Sequence, residues 1–187
     1  MEISETLYVI RREDWRRWLE GHYHSAKEIW LVYYTKAAGK PCILYNDAVE
    51  EALCFGWIDG QVKKLDEVRR VQRFSPRSPR AKYSQANLER LRALVAQQRV
   101  IPEVADTLGE VLNQEFVFPA DILEAIQADP VAWEHYQAFS APYRRIRVAF
   151  INGARGRPEE FRKRLRYFIE MTRKNKIFGF GGIEKYY

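Results

Sequence analysis

The order of apolar and polar positions divides the chain into a mixed first half and a helical second half. The run Ile29–Tyr34 is aromatic and β-branched throughout, which predicts a buried strand. Residues 57–63 and 68–74 alternate apolar with polar side chains across a short polar segment, which predicts two strands joined by a turn. Residues 6–10 predict one further short β segment.

Other segments show apolar residues at helical spacing. Residues 12–20 place their apolar side chains on one face, which predicts a helix that ends at Gly21. A second helix is predicted to begin at Asn46, a favourable N-cap, and to stop at Gly56. From Ser84 onward the spacing is helical again.

Four prolines in the second half each fall where a helix is predicted to begin, a position at which the missing amide hydrogen costs nothing: Pro119, Pro130, Pro142 and Pro158. Asp129 and Ser140 precede two of them and are predicted caps. The predicted fold class is therefore α+β. A small antiparallel sheet with flanking helices occupies residues 1–100, and an all-helical region with a glycine-rich, aromatic tail occupies residues 101–187.

Composition limits the class of protein. Hydrophobic residues make up 47% and charged residues 30%, which is typical of a globular domain with a real core. No apolar run approaches the roughly 18 residues that span a bilayer, and the acidic N-terminus lacks the apolar core of a secretory signal. Cys42 and Cys54 lack metal-type spacing and are predicted to be reduced, in a cytoplasmic protein. No metal or cofactor is predicted.

The net charge of +6 is distributed in four blocks. Residues 1–60 carry −3, residues 61–100 carry +8, residues 101–140 carry −8, and residues 141–187 carry +9. One interpretation is that the acidic block packs beside a basic neighbour and cancels it. The other is that at least one basic face remains open to an anion.

The densest group of chemically distinctive residues lies between Leu53 and Asn87. It places aromatic, carboxylate, guanidinium, hydroxyl and amide groups on a strand pair, a proline-stiffened loop and a helix start. If the two strands pair, Arg73 or Arg69 is expected to form an ion pair with Asp59. With one tryptophan from the preceding strand, the candidate ligand-binding residues are Trp30, Trp57, Asp59, Arg73, Arg77, Tyr83, Ser84 and Asn87. Each also has an ordinary interpretation, as core aromatic, ion-pair partner or helix cap.

The same stretch carries a family resemblance. The strings ALCFGWIDGQ, from residue 52, and RFSPR, from residue 73, resemble the signature of the YdeI/OmpD-associated family, also called bacteriocin-protection proteins. His24-Ser25, residues 28–34 and Gly39-Lys40-Pro41 match the same pattern. The chain departs from it at Tyr83, where the family usually has tryptophan, and at residues 98–100, where the family usually has Gly-Arg-Met.

The resemblance covers nearly the whole chain and is most specific between about residues 18 and 90. It implies a bacterial, cytoplasmic α+β protein with a helical C-terminal region. It also implies a link to bacteriocin protection or envelope stress, without an established catalytic residue.

Three classes of function follow. The first is binding of a small anionic or aromatic ligand in a cleft lined by tryptophan, arginine and aspartate. The second is an enzyme that uses Asp59 as a base or Cys54 as a nucleophile. The third is binding of nucleic acid or an acidic partner through basic patches, since 21 arginines outnumber 10 lysines. A metal role has weaker support, from His22 and His24 alone.

Overall fold

A computed structural model describes residues 2–179. The first part of the chain forms β1 (Thr6–Leu7), α1 (Arg12–His22), β2 (Ile29–Tyr34), a 3₁₀ turn (Lys36–Ala38), α2 (Tyr45–Cys54), β3 (Trp57–Lys64) and β4 (Arg69–Pro76). Helices follow as α3 (Gln85–Ala96), α4 (Pro102–Ala105), α5 (Gly109–Asn113), α6 (Ala120–Gln127), α7 (Pro130–Ala138), α8 (Ala141–Asn152) and α9 (Pro158–Arg173).

The chain divides into two compact units. The first comprises the chain up to Lys82 together with Leu91–Glu110, and the second comprises Tyr83–Arg90 with the chain from Val111 onward. The division falls within α3 and again within α5. The predicted domain boundary at residue 100 stays a prediction.

The first unit contains a four-stranded sheet in the order β1-β2-β4-β3. β2 and β3 both pair with β4 in antiparallel fashion, and β1 adds a parallel pair at the β2 edge. The predicted α+β class with a small antiparallel sheet is confirmed, and the parallel β1 makes the sheet mixed. β4 continues to Pro76, past the predicted strand end at residue 74, so the proline-stiffened loop begins only after Pro76. Beyond Phe74, β4 no longer pairs with β2, which leaves room for a proline that cannot donate a ladder hydrogen bond.

One face of this sheet packs against α1 and α2. The fully buried Trp15 contacts Phe74 edge to face at 5.5 Å and donates its indole N–H to the carbonyl of Ala48 at 3.0 Å. The opposite face carries a smaller buried cluster formed by Trp30, Val32 and Val71, against which Ile3 and Tyr34 pack. Alternating residues of β2 therefore lie on opposite faces, so both faces of the strand are buried, as its unbroken apolar run predicted.

Two predicted helix boundaries are wrong. α1 continues through Gly21 to His22, because an exposed glycine weakens a helix without stopping it. α2 begins at Tyr45, and its N-cap Leu44 makes no side-chain capping bond, so Asn46 is not the cap. The predicted stop at Gly56 is confirmed, since this residue has φ of +70°, a conformation that favours glycine.

In the second unit, helices α6 to α9 surround a core whose buried members are Ile122, Ile126, Tyr136, Phe139, Tyr143, Val148, Ile151 and Phe168. All four prolines lie at or next to a helix start, as predicted. Asp129 and Ser140 accept hydrogen bonds from the amides of Ala132 and Tyr143, which confirms both caps. Phe178 packs against the core, and the rest of the aromatic tail lies outside the described residues. Between residues 2 and 179, no helix is long and apolar enough to cross a membrane.

Candidate functional site

Two candidate residues, Trp30 and Arg73, lie opposite each other on β2 and β4. Both donate to the carboxylate of Glu28: the indole N–H to Oε1 at 3.1 Å and the guanidinium Nε to Oε2 at 2.6 Å. The Ser4 hydroxyl donates to Oε1 at 2.7 Å. These hydrogen bonds, that of Ser4 first, lower the pKa of Glu28 from 4.5 to about 2. The pair thus binds a carboxylate, but one that belongs to the chain itself.

The two candidate tryptophans lie in the interior of the first unit. Trp30 is 0% exposed and Trp57 is 1% exposed. The Trp57 indole donates to the carbonyl of Tyr23 at 3.1 Å and contacts Trp18 edge to face at 5.8 Å. In this conformation both indoles serve packing and internal hydrogen bonding rather than forming walls of an open cleft.

Asp59 is placed by β3, opposite Phe74 on β4. Its carboxylate accepts a hydrogen bond of 2.6 Å from the hydroxyl of Tyr45, at the start of α2. The expected ion pair with Arg73 or Arg69 is replaced by two others, since Arg73 pairs with Glu28, and Arg69 with Asp66 at 2.6 Å. An irregularity in the β3–β4 register after Asp59 shifts the residues that follow, so simple alternation could not place these partners.

Arg77 begins an exposed turn that follows β4. Its amide donates to the carbonyl of Gly56 at 2.9 Å, which ties the turn to the start of β3. A second hydrogen bond, from the amide of Ala81 to the carbonyl of Ser78 at 3.0 Å, closes the turn. Residues 78–82 are all exposed. We call residues 77–82 the basic turn, because they include three cations and no carboxylate.

Tyr83, Ser84 and Asn87 belong to the second unit. The Ser84 hydroxyl accepts from the amide of Asn87 at 3.3 Å and caps α3. The Asn87 side chain accepts a hydrogen bond of 2.8 Å from Arg90, while Tyr83 is half-buried. These contacts give Ser84 and Asn87 a local role at the helix start.

A buried carboxylate in the first unit was not anticipated from the sequence. Glu51 of α2 is fully buried, and three guanidinium groups bind it. Arg12 and Arg99 both reach Oε1, and Arg16 reaches Oε2 at 2.8 Å. Arg12 also contacts Glu50 at 2.9 Å. One carboxylate thus joins α1, α2 and the segment after α3.

Part of this cluster has a sequence signal. Arg12 and Arg16 are four residues apart and therefore share one side of α1. Glu51 follows Asp47 by the same interval on α2. The spacing shows a basic and an acidic helix side, but the pairing of the two sides depends on how α1 packs against α2.

A similar ion pair lies within the second unit. Arg145 donates to both oxygens of Glu89, at 2.7 and 2.8 Å. Gln85 donates to the same carboxylate at 2.7 Å. Glu89 is only 4% exposed. Its position within α3 gave no sign of this partner, which is 56 residues away along the chain.

The two cysteines are free thiols, as predicted. Cys54 is fully buried. Burial, followed by the nearby Glu51 carboxylate, raises the pKa of this thiol to about 11. The thiolate is the nucleophilic form, so at neutral pH Cys54 is a packing residue. Cys42 accepts a hydrogen bond from the amide of Tyr34 at 3.2 Å.

A shallow surface depression lies elsewhere in the first unit, after β1. It is lined by Tyr8, Val9, Ile10, Arg11 and Asp14, none of which the sequence had singled out. Within the described residues, no group of three or more histidine, cysteine, aspartate or glutamate side chains is arranged to hold a metal ion.

Two protein families match the chain, one in its first part and one in its second. Residues 7–107 match a domain of unknown function, DUF8412. Residues 115–175 match the family described as Bacteriocin-protection, YdeI or OmpD-Associated. The chain belongs to the DUF8412 family and carries a YdeI/OmpD-associated domain. No curated protein and no solved structure matches the chain.

The family predicted from the sequence is confirmed, and the comparison shows which residues of the chain match it. The YdeI/OmpD-associated match covers helices α6 to α9. The strings that carried the resemblance, at residues 52–61 and 73–77, lie instead within the DUF8412 match. Five of the eight candidate residues belong to the first unit and three to the second.

Proposed function

We propose that this protein binds a small anionic ligand at the basic turn, residues 77–82. The observation that carries the proposal is a largely exposed segment with three cations and no carboxylate, whose backbone is hydrogen-bonded to Gly56 at its start and closed by one internal hydrogen bond. In the described part of the chain, neither Arg80 nor Lys82 has an ion-pair partner. Arginine suits phosphate and carboxylate groups because its planar N–H donors match their paired oxygens.

The turn is better suited to an anion than the other candidate positions. Arg73 already binds Glu28, so a ligand there would have to displace an internal carboxylate. Trp30 and Trp57 are buried and pack in the interior, so neither ring is exposed to stack on an aromatic ligand. At the basic turn, Arg80 and Lys82 hold no carboxylate of the described residues that an anion would have to displace.

The test measures thermal unfolding of the full chain with pyrophosphate or citrate, against sodium chloride of equal ionic strength. A ligand present at about 100 times its Kd adds about 2.7 kcal/mol, which raises the Tm by roughly 5–10 °C in a protein of this size. The Arg80→Ala/Lys82→Ala variant is expected to lose this rise.

The matched control is Lys27→Ala/Arg70→Ala, which removes one lysine and one arginine from exposed positions of the same unit. The control should keep the full rise in Tm. Equal rises in all three proteins, or no rise in the wild type with either anion, would contradict the proposal.

We also propose that the protein acts in the bacterial cytoplasm. The free state of both cysteines supports a reducing compartment. The family description, which names bacteriocin protection, supports a bacterial setting. Labelling of both thiols in freshly lysed cells, under denaturing conditions, would test the reduced state.

A further inference from the structure

Helix α9 of the second unit presents a continuous basic side to solvent. Five cations are exposed on it or at its C-cap: Arg162, Lys163, Arg166, Arg173 and Lys174. We call these five residues the α9 basic face. Arg166 follows Arg162 by four residues and precedes Arg173 by seven, and Lys163 precedes Arg166 by three, which places them along one side of the helix. From the first to the last, the rise of the helix covers about 18 Å.

The charge of this face is only partly neutralised. Glu159 pairs with Arg162, and Glu170 pairs with Lys174 at 2.6 Å. Arg173 lies 3.7 Å from Asp129 of the same unit. Five cations against these three carboxylates leave a net charge of +2. Within residues 2–179, Lys163 and Arg166 have no ion-pair partner. The positive charge therefore remains available near the middle of the helix.

An exposed aromatic ring lies beside these two cations. Tyr167 is 50% exposed, and its ring contacts Phe178 edge to face at 5.0 Å. That contact fixes the orientation of the ring while one side stays open to solvent. Protein surfaces that bind nucleic acid typically combine cations that follow the phosphate backbone with aromatic rings on which bases stack.

The opposite side of α9 is already occupied. Phe161, Leu165 and Ile169 pack against the buried core of the unit, and Phe168 is part of that core. The helix therefore has no free apolar side with which to enter a lipid surface, as an interfacial amphipathic helix does. Its solvent side offers charge and one aromatic ring.

We propose that the α9 basic face binds nucleic acid through its phosphates, without recognition of base sequence. This inference is independent of the anion site proposed at the basic turn, since the two surfaces use different residues in different units. Two neutralised phosphates give a salt slope of about −1.8 with duplex DNA, so affinity should fall about 12-fold between about 50 and 200 mM salt.

The experiment measures fluorescence anisotropy of the full chain with a labelled 20-nucleotide DNA, single-stranded and duplex, across that salt range. In the Lys163→Glu/Arg166→Glu variant the slope should weaken by about 1.8, so that affinity changes little over the same range. Tyr167→Ala should weaken single-strand binding and leave the salt slope unchanged.

The control is Lys27→Glu/Lys36→Glu, which makes the same change in net charge at exposed positions of the first unit. It should bind DNA as the wild type does at each salt concentration. Equal loss in the control would show that only net charge matters and would overturn the proposal. Undetectable DNA binding at low salt would also overturn the proposal. Binding to phosphatidylserine vesicles in the absence of DNA binding would assign the face to an anionic lipid surface instead. The Arg80→Ala/Lys82→Ala variant should retain DNA binding, which separates the two proposals.

Discussion

Trp30 of β2 and Arg73 of β4 are register partners, and their side chains donate to different oxygens of one carboxylate, that of Glu28. The contact joins two strands to the residue that immediately precedes β2. Because Ser4 donates to the same carboxylate, the N-terminal segment is attached to the sheet at this point.

This arrangement predicts a pH-dependent contribution to stability. The pKa of Glu28 is about 2 in the folded protein and ordinarily 4.5, so its contribution is complete above pH 4.5 and is lost as pH falls towards 2. The full shift corresponds to roughly 3 kcal/mol, and solvent screening at the protein surface makes the actual contribution smaller. Urea denaturation should show that Glu28→Gln is less stable than wild type at pH 6, and that the difference shrinks as pH falls. Glu67→Gln, at an exposed carboxylate, should show little difference at either pH.

Glu51 should be the more costly carboxylate to remove. Replacing it with glutamine leaves three guanidinium groups around a neutral side chain, and loss of one partner from a buried ion pair typically costs about 3–5 kcal/mol. Chemical denaturation of Glu51→Gln measures the change. Glu20→Gln removes a half-exposed partner of Arg16 and should cost less than about 1 kcal/mol. Equal losses in both variants would refute the assigned role of Glu51.

Substitution of two glycines by alanine should change the stability of the protein in opposite directions. Gly56 has φ of +70°, and a Cβ there would lie 3.2 Å from Val104, so Gly56→Ala should destabilise by about 1–2 kcal/mol. Gly21 lies within α1 with no atom within 4 Å of an added Cβ. Gly21→Ala should therefore stabilise by roughly 0.5–1 kcal/mol. Thermal unfolding of both variants gives the signs, and two shifts of the same sign would contradict this account.

Cys54 should resist thiol labelling in the native state. Its pKa of about 11 leaves little thiolate at pH 8, and the side chain is fully buried. In a Cys42→Ser background, labelling with a disulfide reagent should be far slower than for a model thiol and should become complete in urea. Rapid native labelling would restore the thiolate nucleophile as a possible mechanism.

Local sequence was sufficient to predict most elements and their caps. β2 is an uninterrupted apolar and aromatic run, and Asp129 and Ser140 cap helices through amides only three residues ahead. Such features depend on neighbours along the chain, so periodicity and side-chain chemistry reveal them. Gly56 is of the same kind, because its positive φ is a local requirement.

Tertiary structure alone decided the partners of the charged residues. Arg73 or Arg69 was expected to pair with Asp59 on β3. Instead Arg73 lies beside Glu28 and Arg69 pairs with Asp66, and a register shift after Asp59 changes the neighbours in β3. The three arginines around Glu51 come from segments that are far apart in the chain. The reason is physical: local torsional preferences select helix or strand, whereas an ion pair requires two remote side chains to be brought within 4 Å by packing of the core. The sequence by itself therefore determined the elements, the α+β class and the family, and the packing decided which charges are used internally and which stay exposed to solvent.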